Sequence, residues 1–289
     1  MTDGPSDWAA RAARPVERRF ATRRWRSPMD RGLLLTARTD YRERPLPPGF
    51  RARVVDAAGT PRRVAACDAG ADGARRPLVI LPGMYASLSE GLFLDLAELT
   101  ARGGRAVWLV EDRLAAGTLA LTGGEVPSVA RIGAEVAALV ATLPERPDAL
   151  ALSAGAAGAL AAPPGTFARI AVWSGALDIR ATAENLARHP MARFHYSQVH
   201  RRAFRRAGLD APPIATIPEL LTADPPRGLP PDPLLIVHAE DDPVVPAAVV
   251  SALTLNGGQR ALVTPAGAHL GFGTLEGLDV YLAPFDEKD

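Results

Sequence analysis

Six short apolar runs, separated by helix-like segments, constrain the fold of this chain more than any other feature. The runs are continuous rather than alternating, which is typical of strands buried on both faces of a sheet. Strands that alternate with helices imply crossover connections, so the sequence predicts an α/β fold with a mainly parallel sheet flanked by helices. The runs are PLVILPG (77–83), RAVWLV (105–110), DALALS (148–153), ARIAVW (168–173), PLLIVHA (233–239) and RALVTPA (260–266).

The rest of the chain predicts an N-terminal arm and a cap. Residues 1–48 are the arm, which ends in the breaker run RPLPPG. A predicted β-hairpin follows it, and residues 49–176 and 231–289 form the predicted core. Residues 177–230 interrupt the alternation with a helix-like segment and a proline-rich loop. We expect this insertion to form a cap above the sheet, the alternative being an ordinary surface helix.

Charge is distributed unevenly, although the formal net charge is +1. Residues 1–76 hold 17 arginines and 9 acidic residues. Such a segment can contact nucleic acid or a membrane surface. However, its arginines are interleaved with prolines and acids, and no nucleic-acid-binding motif accompanies them. We therefore expect a solvated arm over an acidic body, and no nucleic-acid partner.

Composition excludes several other classes. Apolar residues make up 47% of the chain, as in globular proteins. No apolar stretch reaches the ~18 residues of a membrane span. No apolar signal region follows the N-terminal arginine pairs, so we expect a cytoplasmic protein. Cys67 is the only cysteine, which excludes internal disulfides and multi-cysteine zinc sites. We expect neither a metal nor an organic cofactor.

The segment ALALSAGAAGAL (149–160) places one serine among alanine, leucine and glycine. Ser153 follows a predicted buried strand and precedes a helix, which is the context of the G-x-S-x-G nucleophile elbow. The turn in that motif is crowded, which explains the small residues Ala154 and Gly155. Ala151 replaces the first glycine of the motif, and an alanine is tolerated there only if its φ is negative.

A serine nucleophile needs a base, and the base needs an acid that orients it. Candidates for both follow later strands, in the chain order Ser, Asp, His of elbow-containing folds. Asp241 and Asp242 follow one strand, and the spacing leaves both open as the acid. His269 follows the last strand, in a loop between Gly267 and Gly271, and is the predicted base.

The other histidines are weaker candidates for the base. His238 lies within an apolar strand, where a hydrogen-bonded core histidine is expected. His189, His195 and His200 belong to the cap, where they either contact substrate or lie on the surface.

Acyl transfer also requires N–H donors for the oxyanion. One predicted donor is the N–H of Ala154, at the start of the helix after the nucleophile. The other is the N–H of Met84, because Gly83 allows the chain to turn after the first parallel strand. Tyr85 is expected to line the mouth of the site. The cap residues expected to bind an apolar acyl or aromatic group are Met191, Phe194 and Tyr196.

The segments that carry these candidate residues resemble a known family. Together, the elbow around Ser153, the turn at Gly83 and the segments of the acid and the base resemble the α/β-hydrolase superfamily. Within it, HAEDDPVVP (238–246) followed by GAHLGF (267–272) resembles the YheT-like branch of predicted esterases. The resemblance covers roughly residues 50–285. It implies an α/β-hydrolase fold with an N-terminal extension and a helical cap. It also implies Asp242 as the acid, with Ser153 as nucleophile and His269 as base.

The sequence departs from that branch at two positions. Pro82-Gly83 stands where the branch usually has His-Gly, and the leading glycine of the elbow is replaced by Ala151. These departures leave room for an altered oxyanion geometry or a specialised activity.

The sequence therefore predicts a serine hydrolase that cleaves small-molecule carboxylic esters through an acyl-enzyme. The same triad would serve an acyltransferase, a thioesterase or a cyclase. A non-catalytic binding protein on a hydrolase scaffold is an alternative of another class, as is a protein that interacts through its basic arm. The oligomeric state is not predicted.

Overall fold

The computed structural model describes residues 7–21, 44–68, 75–222 and 228–286, without the side chains of Met191, Thr274 and Leu275. Its centre is an eight-stranded sheet. The strands are β1 (Arg51–Ala57), β2 (Thr60–Cys67), β3 (Leu78–Leu81), β4 (Val107–Val110), β5 (Asp148–Leu152), β6 (Ile170–Trp173), β7 (Leu234–Ala239) and β8 (Gln259–Thr264).

The strand order is β1-β2-β4-β3-β5-β6-β7-β8. From β4 to β8 every neighbouring pair is parallel. The hairpin β1–β2 joins antiparallel to β4 and supplies one edge. Every residue of β3, β5 and β6 is buried, which explains why these strands are continuous apolar runs. The predicted hairpin and mainly parallel sheet are confirmed.

Helices cover both faces of the sheet. They are α1 (Trp8–Phe20), α2 (Gly91–Arg102), α3 (Ala116–Leu121), α4 (Val129–Val140), α5 (Gly155–Ala161), α6 (Ile179–Arg188), α7 (Pro190–Arg206), α8 (Ile217–Leu221), α9 (Ala247–Ser251) and α10 (Phe272–Glu276). One apolar layer packs α1, α2 and the C-terminal turns against the sheet. The opposite layer packs α4, α5 and α9 against its other face. None of the helices in the described ranges combines the length and apolar character needed to span a bilayer.

The N-terminal segment differs from the solvated arm that the sequence predicts. Trp8, Val16 and Phe20 of α1 are at most 3% exposed and belong to the main core layer. The indole Nε1 of Trp8 donates to the carbonyl oxygen of Pro284 at 3.0 Å. Apolar residues recur every three or four positions in α1, so one face of this arginine-rich helix is buried. Of the predicted arm, residues 1–6 and 22–43 lie outside the described residues.

The cap lies where the alternation of strands and helices is interrupted, and its boundaries stay a prediction. The helix-like segment that the sequence predicts is two helices, α6 and α7, because Pro190 opens a new helix after the extended residue His189. Val199, Phe204 and Leu221 of the cap form an apolar cluster with core residues that include Tyr85. This cluster holds the cap over the carboxyl ends of the central strands.

Candidate active site

Ser153 lies in a sharp turn between β5 and α5. Its φ is 52°, in the left-handed region that a non-glycine residue adopts at a cost of about 1–3 kcal/mol. Its N–H donates to the carbonyl oxygen of Trp173 at 3.0 Å, and its own carbonyl oxygen accepts from Ala156 and Ala176. These bonds hold the strained turn in place.

The small residues around Ser153 allow a close approach between α5 and β3. A Cβ on Gly155 would lie 2.2 Å from the carbonyl oxygen of Leu81, so no larger residue fits there. A Cβ on Gly83 would lie 3.3 Å from that of Ser153. Ala151 is fully buried in β5 and does not have a positive φ, as the replacement of the motif's first glycine requires.

Ser153, His269 and Asp242 form one chain of hydrogen bonds. The Oγ atom of Ser153 is 2.9 Å from Nε2 of His269. The Nδ1 atom of His269 is 3.0 Å from Oδ2 and 3.2 Å from Oδ1 of Asp242. A carboxylate only accepts, so Nδ1 carries the proton, and Nε2 of the neutral ring can accept from the Ser153 hydroxyl. The three side chains come from loops at the carboxyl ends of β5, β7 and β8.

Asp242 is held as a buried carboxylate. Its Oδ1 accepts the N–H groups of Val244 at 2.8 Å and Val245 at 3.0 Å. Burial raises the pKa of Asp242, but the interactions with His269, the nearby His238 and the N–H of Val245 together outweigh burial and leave this pKa below its ordinary value. The side chain is therefore ionised at neutral pH and can stabilise a charged imidazole.

Asp241 has a different position from its neighbour. Its Oδ1 accepts the N–H of Ala268 at 2.8 Å, so it contacts the backbone of the histidine loop. Ala268 and Leu270, on either side of His269, have φ values of 45° and 59°. Of the two aspartates that the spacing left open, Asp242 contacts the imidazole, and Asp241 supports the strained loop that carries it.

Two further side chains support this arrangement. The Ser174 hydroxyl, at the end of β6, accepts the N–H of Leu270 at 3.4 Å. Sequence reasoning missed Ser174, since no motif surrounds it. His238 is fully buried, and its Nε2 donates to the carbonyl oxygen of Val245 at 3.0 Å. This confirms the expected hydrogen-bonded core histidine.

The two predicted oxyanion donors lie beside Ser153. Met84 and Ala154 line the same cleft as this serine. In the hydrogen bonds among the described residues, neither the N–H of Met84 nor that of Ala154 donates to a protein acceptor. Both residues therefore stay the candidate oxyanion donors.

The cleft between the cap and the strand ends has a volume of about 500 Å³. Pockets of this size bind drug-sized molecules. Its apolar walls include Ile179, Leu186, Tyr196, Ile214, Ile217, Leu221 and Val244. The charged residues in its lining are Arg180, Glu184, Arg193 and Glu219. Within the described ranges, no group of three or more His, Cys, Asp or Glu side chains is arranged to hold a metal ion.

The predicted substrate-binding residues divide between the cleft and other positions. Tyr85 and Tyr196 line the cleft. Phe194 does not: its side chain is 61% exposed, because α7 turns Ala192, Val199 and Ala203 toward the protein instead. The Met191 side chain lies outside the described part of the structure.

The cap histidines do not line the cleft either. His200 is 2% exposed, and its Nδ1 is 2.9 Å from the Tyr85 hydroxyl. The Tyr85 hydroxyl therefore has a protein partner.

Neither a protein-family model nor a curated protein matches the sequence. Solved structures do match. The esterase Pf2001 from Pyrococcus furiosus has a TM-score of 0.56 and 15% identity, over 91% of this chain and 95% of that one. Est1E from Butyrivibrio proteoclasticus has a TM-score of 0.53 and 16% identity, over 81% of this chain and 96% of that one. Alpha/beta hydrolase domain-containing protein 10 from mouse has a TM-score of 0.50 and 14% identity, over 81% of this chain and 95% of that one.

At such identities the likeness defines the fold. Strand order, parallel pairing and these neighbours together show that the chain has the α/β-hydrolase fold. These three structures do not distinguish the YheT-like branch, which stays a prediction.

Proposed function

We propose that the protein is a serine hydrolase that cleaves carboxylic esters of small molecules. The observation that carries this proposal is the chain of hydrogen bonds from Ser153 through His269 to Asp242, with the serine facing an apolar cleft. A serine and a histidine within 2.9 Å, with a carboxylate behind the histidine, is the arrangement that acyl transfer requires.

In the first half of the reaction, the Ser153 oxygen attacks the acyl carbonyl carbon and its proton passes to Nε2 of His269. Asp242 keeps the imidazole in the correct tautomer and stabilises its charged form. The N–H groups of Met84 and Ala154 donate to the developing oxyanion. When the tetrahedral intermediate collapses, the leaving alcohol takes the proton from His269, and the acyl group stays on Ser153.

In the second half, His269 accepts a proton from a water molecule as its oxygen attacks the acyl-enzyme. The second tetrahedral intermediate collapses, the carboxylic acid leaves, and the serine recovers its proton from His269. The residues of this chain supply every proton transfer, so the mechanism does not require a metal or an organic cofactor.

The cleft supports an apolar acyl group as the preferred part of the substrate. Its walls carry mainly aliphatic side chains and the ring of Tyr196. Burying an acyl chain against them would gain roughly 0.8 kcal/mol per methylene. The name of the Pyrococcus furiosus neighbour, an esterase, fits ester hydrolysis.

The experiment that tests this function compares wild-type protein with Ser153→Ala on p-nitrophenyl esters of increasing acyl length. We expect Ser153→Ala to lower turnover at least about a thousandfold, since it removes the nucleophile. Ser251→Ala, at an exposed serine, is the matched control and should retain full activity. Unchanged melting temperatures would exclude a folding defect, and retained hydrolysis by a folded Ser153→Ala protein would contradict the proposal.

A further inference from the structure

Tyr85 occupies a position that favours glycine in the turn after β3, next to Met84, the predicted oxyanion donor. The N–H of Ala86 donates to the carbonyl oxygen of Gly83 at 3.2 Å, which closes a turn with Met84 and Tyr85 in its middle. Tyr85 is the third residue of this turn and has a φ of 67°. Turns with a positive φ at that place prefer glycine or asparagine. Contacts elsewhere must therefore hold the tyrosine in this conformation.

Asp112 holds the backbone on both sides of Tyr85. This residue follows β4, and its Oδ1 accepts the N–H of Tyr85 at 2.7 Å. Its own N–H donates to the carbonyl oxygen of Ala86 at 3.0 Å. The same Oδ1 also accepts the N–H of Leu114 at 3.0 Å, which fixes the carboxylate.

His200, on α7 of the cap, holds the side chain of Tyr85. Its Nε2 is 2.8 Å from the carbonyl oxygen of Pro212, which can only accept, so Nε2 carries the proton. The Nδ1 atom of the neutral ring is then an acceptor, and the Tyr85 hydroxyl donates to it at 2.9 Å. Burial lowers the pKa of His200 and raises that of Tyr85, so both groups stay neutral in this bond.

These contacts restrict the orientation of the Met84 N–H. That N–H and the N–H of Tyr85 belong to adjacent peptide groups that share the Cα atom of Met84. Because Asp112 fixes the second group and the Gly83–Ala86 bond closes the turn, the first group has little freedom to rotate. The direction of the Met84 N–H therefore depends on Tyr85 staying in place.

Tyr85 also borders two cavities. One is the apolar cleft at Ser153, and the other is a cavity of about 260 Å³ whose lining includes Ser87, Ser89 and Glu90. Tyr85 lines both.

We propose that Asp112 and His200 are positioning residues, which hold Tyr85 and thereby aim the Met84 N–H at the reacting oxygen. Because His200 belongs to α7, the oxyanion donor is in place only when this cap helix is docked on the core. The catalytic consequence rests on the proposed function, whereas the positioning is a property of the fold.

The test uses the full chain and four variants. Tyr85→Phe removes the hydroxyl donor, and His200→Ala removes its acceptor. His200→Gln keeps a side chain that can accept from Tyr85 and donate to Pro212. Arg205→Ala, at an exposed position of the same helix, is the matched control. Two quantities are measured: hydrogen–deuterium exchange of a peptide covering residues 82–88, and steady-state hydrolysis of a p-nitrophenyl ester.

We expect faster exchange of 82–88 in Tyr85→Phe and His200→Ala, since local opening of the loop becomes easier. The same two variants should lose about tenfold to a hundredfold in kcat, with KM within about twofold of wild type, because the affected contact forms in the transition state. His200→Gln should restore most of the wild-type exchange protection and most of the wild-type kcat. Arg205→Ala should match the wild type.

Unchanged exchange of residues 82–88 in both Tyr85→Phe and His200→Ala would overturn the positioning role, whether or not the protein hydrolyses esters. Faster exchange with an unchanged kcat would overturn its catalytic consequence. If the wild-type protein failed to hydrolyse any ester, the proposed function would fail instead, and the exchange comparison would still decide the positioning role. Should His200→Ala fail to fold, Tyr85→Phe supplies the same comparison.

Discussion

The two ends of β5 carry buried polar side chains in opposite surroundings. Asp148, at the start of the strand, is fully buried and accepts hydrogen bonds from Arg105 and Arg169. Ser153, directly after the end of the strand, is also buried, but its hydroxyl meets His269 and faces a cleft.

Aromatic rings cover the cluster around Asp148. The guanidinium of Arg105 lies 5.2 Å from the ring of Phe285, and that of Arg169 lies 5.6 Å from the ring of Trp8. The carboxylate has two cationic partners, each covered by an aromatic side chain. Breaking a buried cluster of this kind destabilises a fold, and its satisfied groups offer little to a ligand.

The difference shows that the two ends of β5 have different roles. Ligands of open α/β sheets bind outside the carboxyl ends of the strands. In the proposed function Ser153, at the carboxyl end, meets the substrate, whereas the buried polar groups around Asp148, at the amino end, satisfy each other. Substitutions at the two ends should therefore separate activity from stability.

The largest expected effect at the carboxyl end comes from Asp242→Asn. An asparagine does not hold the His269 tautomer that accepts from Ser153, so kcat should fall about a thousandfold to ten-thousandfold. Asp241→Asn is the matched control: its amide oxygen can still accept the N–H of Ala268, and kcat should fall less than tenfold. Steady-state ester kinetics measure both, and the reverse ranking would move the acid to Asp241.

At the amino end we expect Asp148→Ala to act on stability. It would leave Arg105 and Arg169 buried without their carboxylate, which should lower the free energy of unfolding by about 3–5 kcal/mol. Urea denaturation measures this change, with the exposed Asp210→Ala as control. The kcat of the folded protein should stay at the wild-type value. A large loss of kcat with unchanged stability would break the comparison.

Much of the sheet and of the candidate site can be predicted from local sequence. The apolar runs predict the strands, and the residues that follow them predict the meeting of Ser153, His269 and an aspartate. This works because strands buried on both faces have a distinct composition, and parallel strands bring their carboxyl ends to one edge. Spacing alone does not choose between Asp241 and Asp242, since neighbouring residues in a turn point in different directions, whereas the family resemblance implies Asp242.

Two other features escaped sequence reasoning for physical reasons. The helix Trp8–Phe20 has a periodic apolar face, but its many arginines hide that pattern in an analysis of composition. The contact between Tyr85 and His200 joins residues 115 positions apart. It depends on how the cap docks, which local periodicity does not specify.

The smallest expected effect is a change in acyl-chain preference when a wall of the cleft is filled. Leu186→Trp places a larger side chain in the cleft wall, which should lower kcat/KM for an octanoate ester about tenfold relative to an acetate ester. Leu220→Trp, at a 44% exposed position of α8 outside the cleft lining, is the matched control. An equal loss for both esters would show that the octanoyl chain does not occupy this part of the cleft.

The central claim is that the carboxyl end of β5 carries an activated serine, and labelling with a fluorophosphonate probe tests it most directly. Intact-mass measurement and peptide mapping should find one label per wild-type chain, on Ser153, and none on folded Ser153→Ala. The Asp148→Ala protein should still label wherever it is folded, because its defect lies at the other end of the strand. A folded wild-type protein that stays unlabelled, or that carries the label on another residue, would contradict the account.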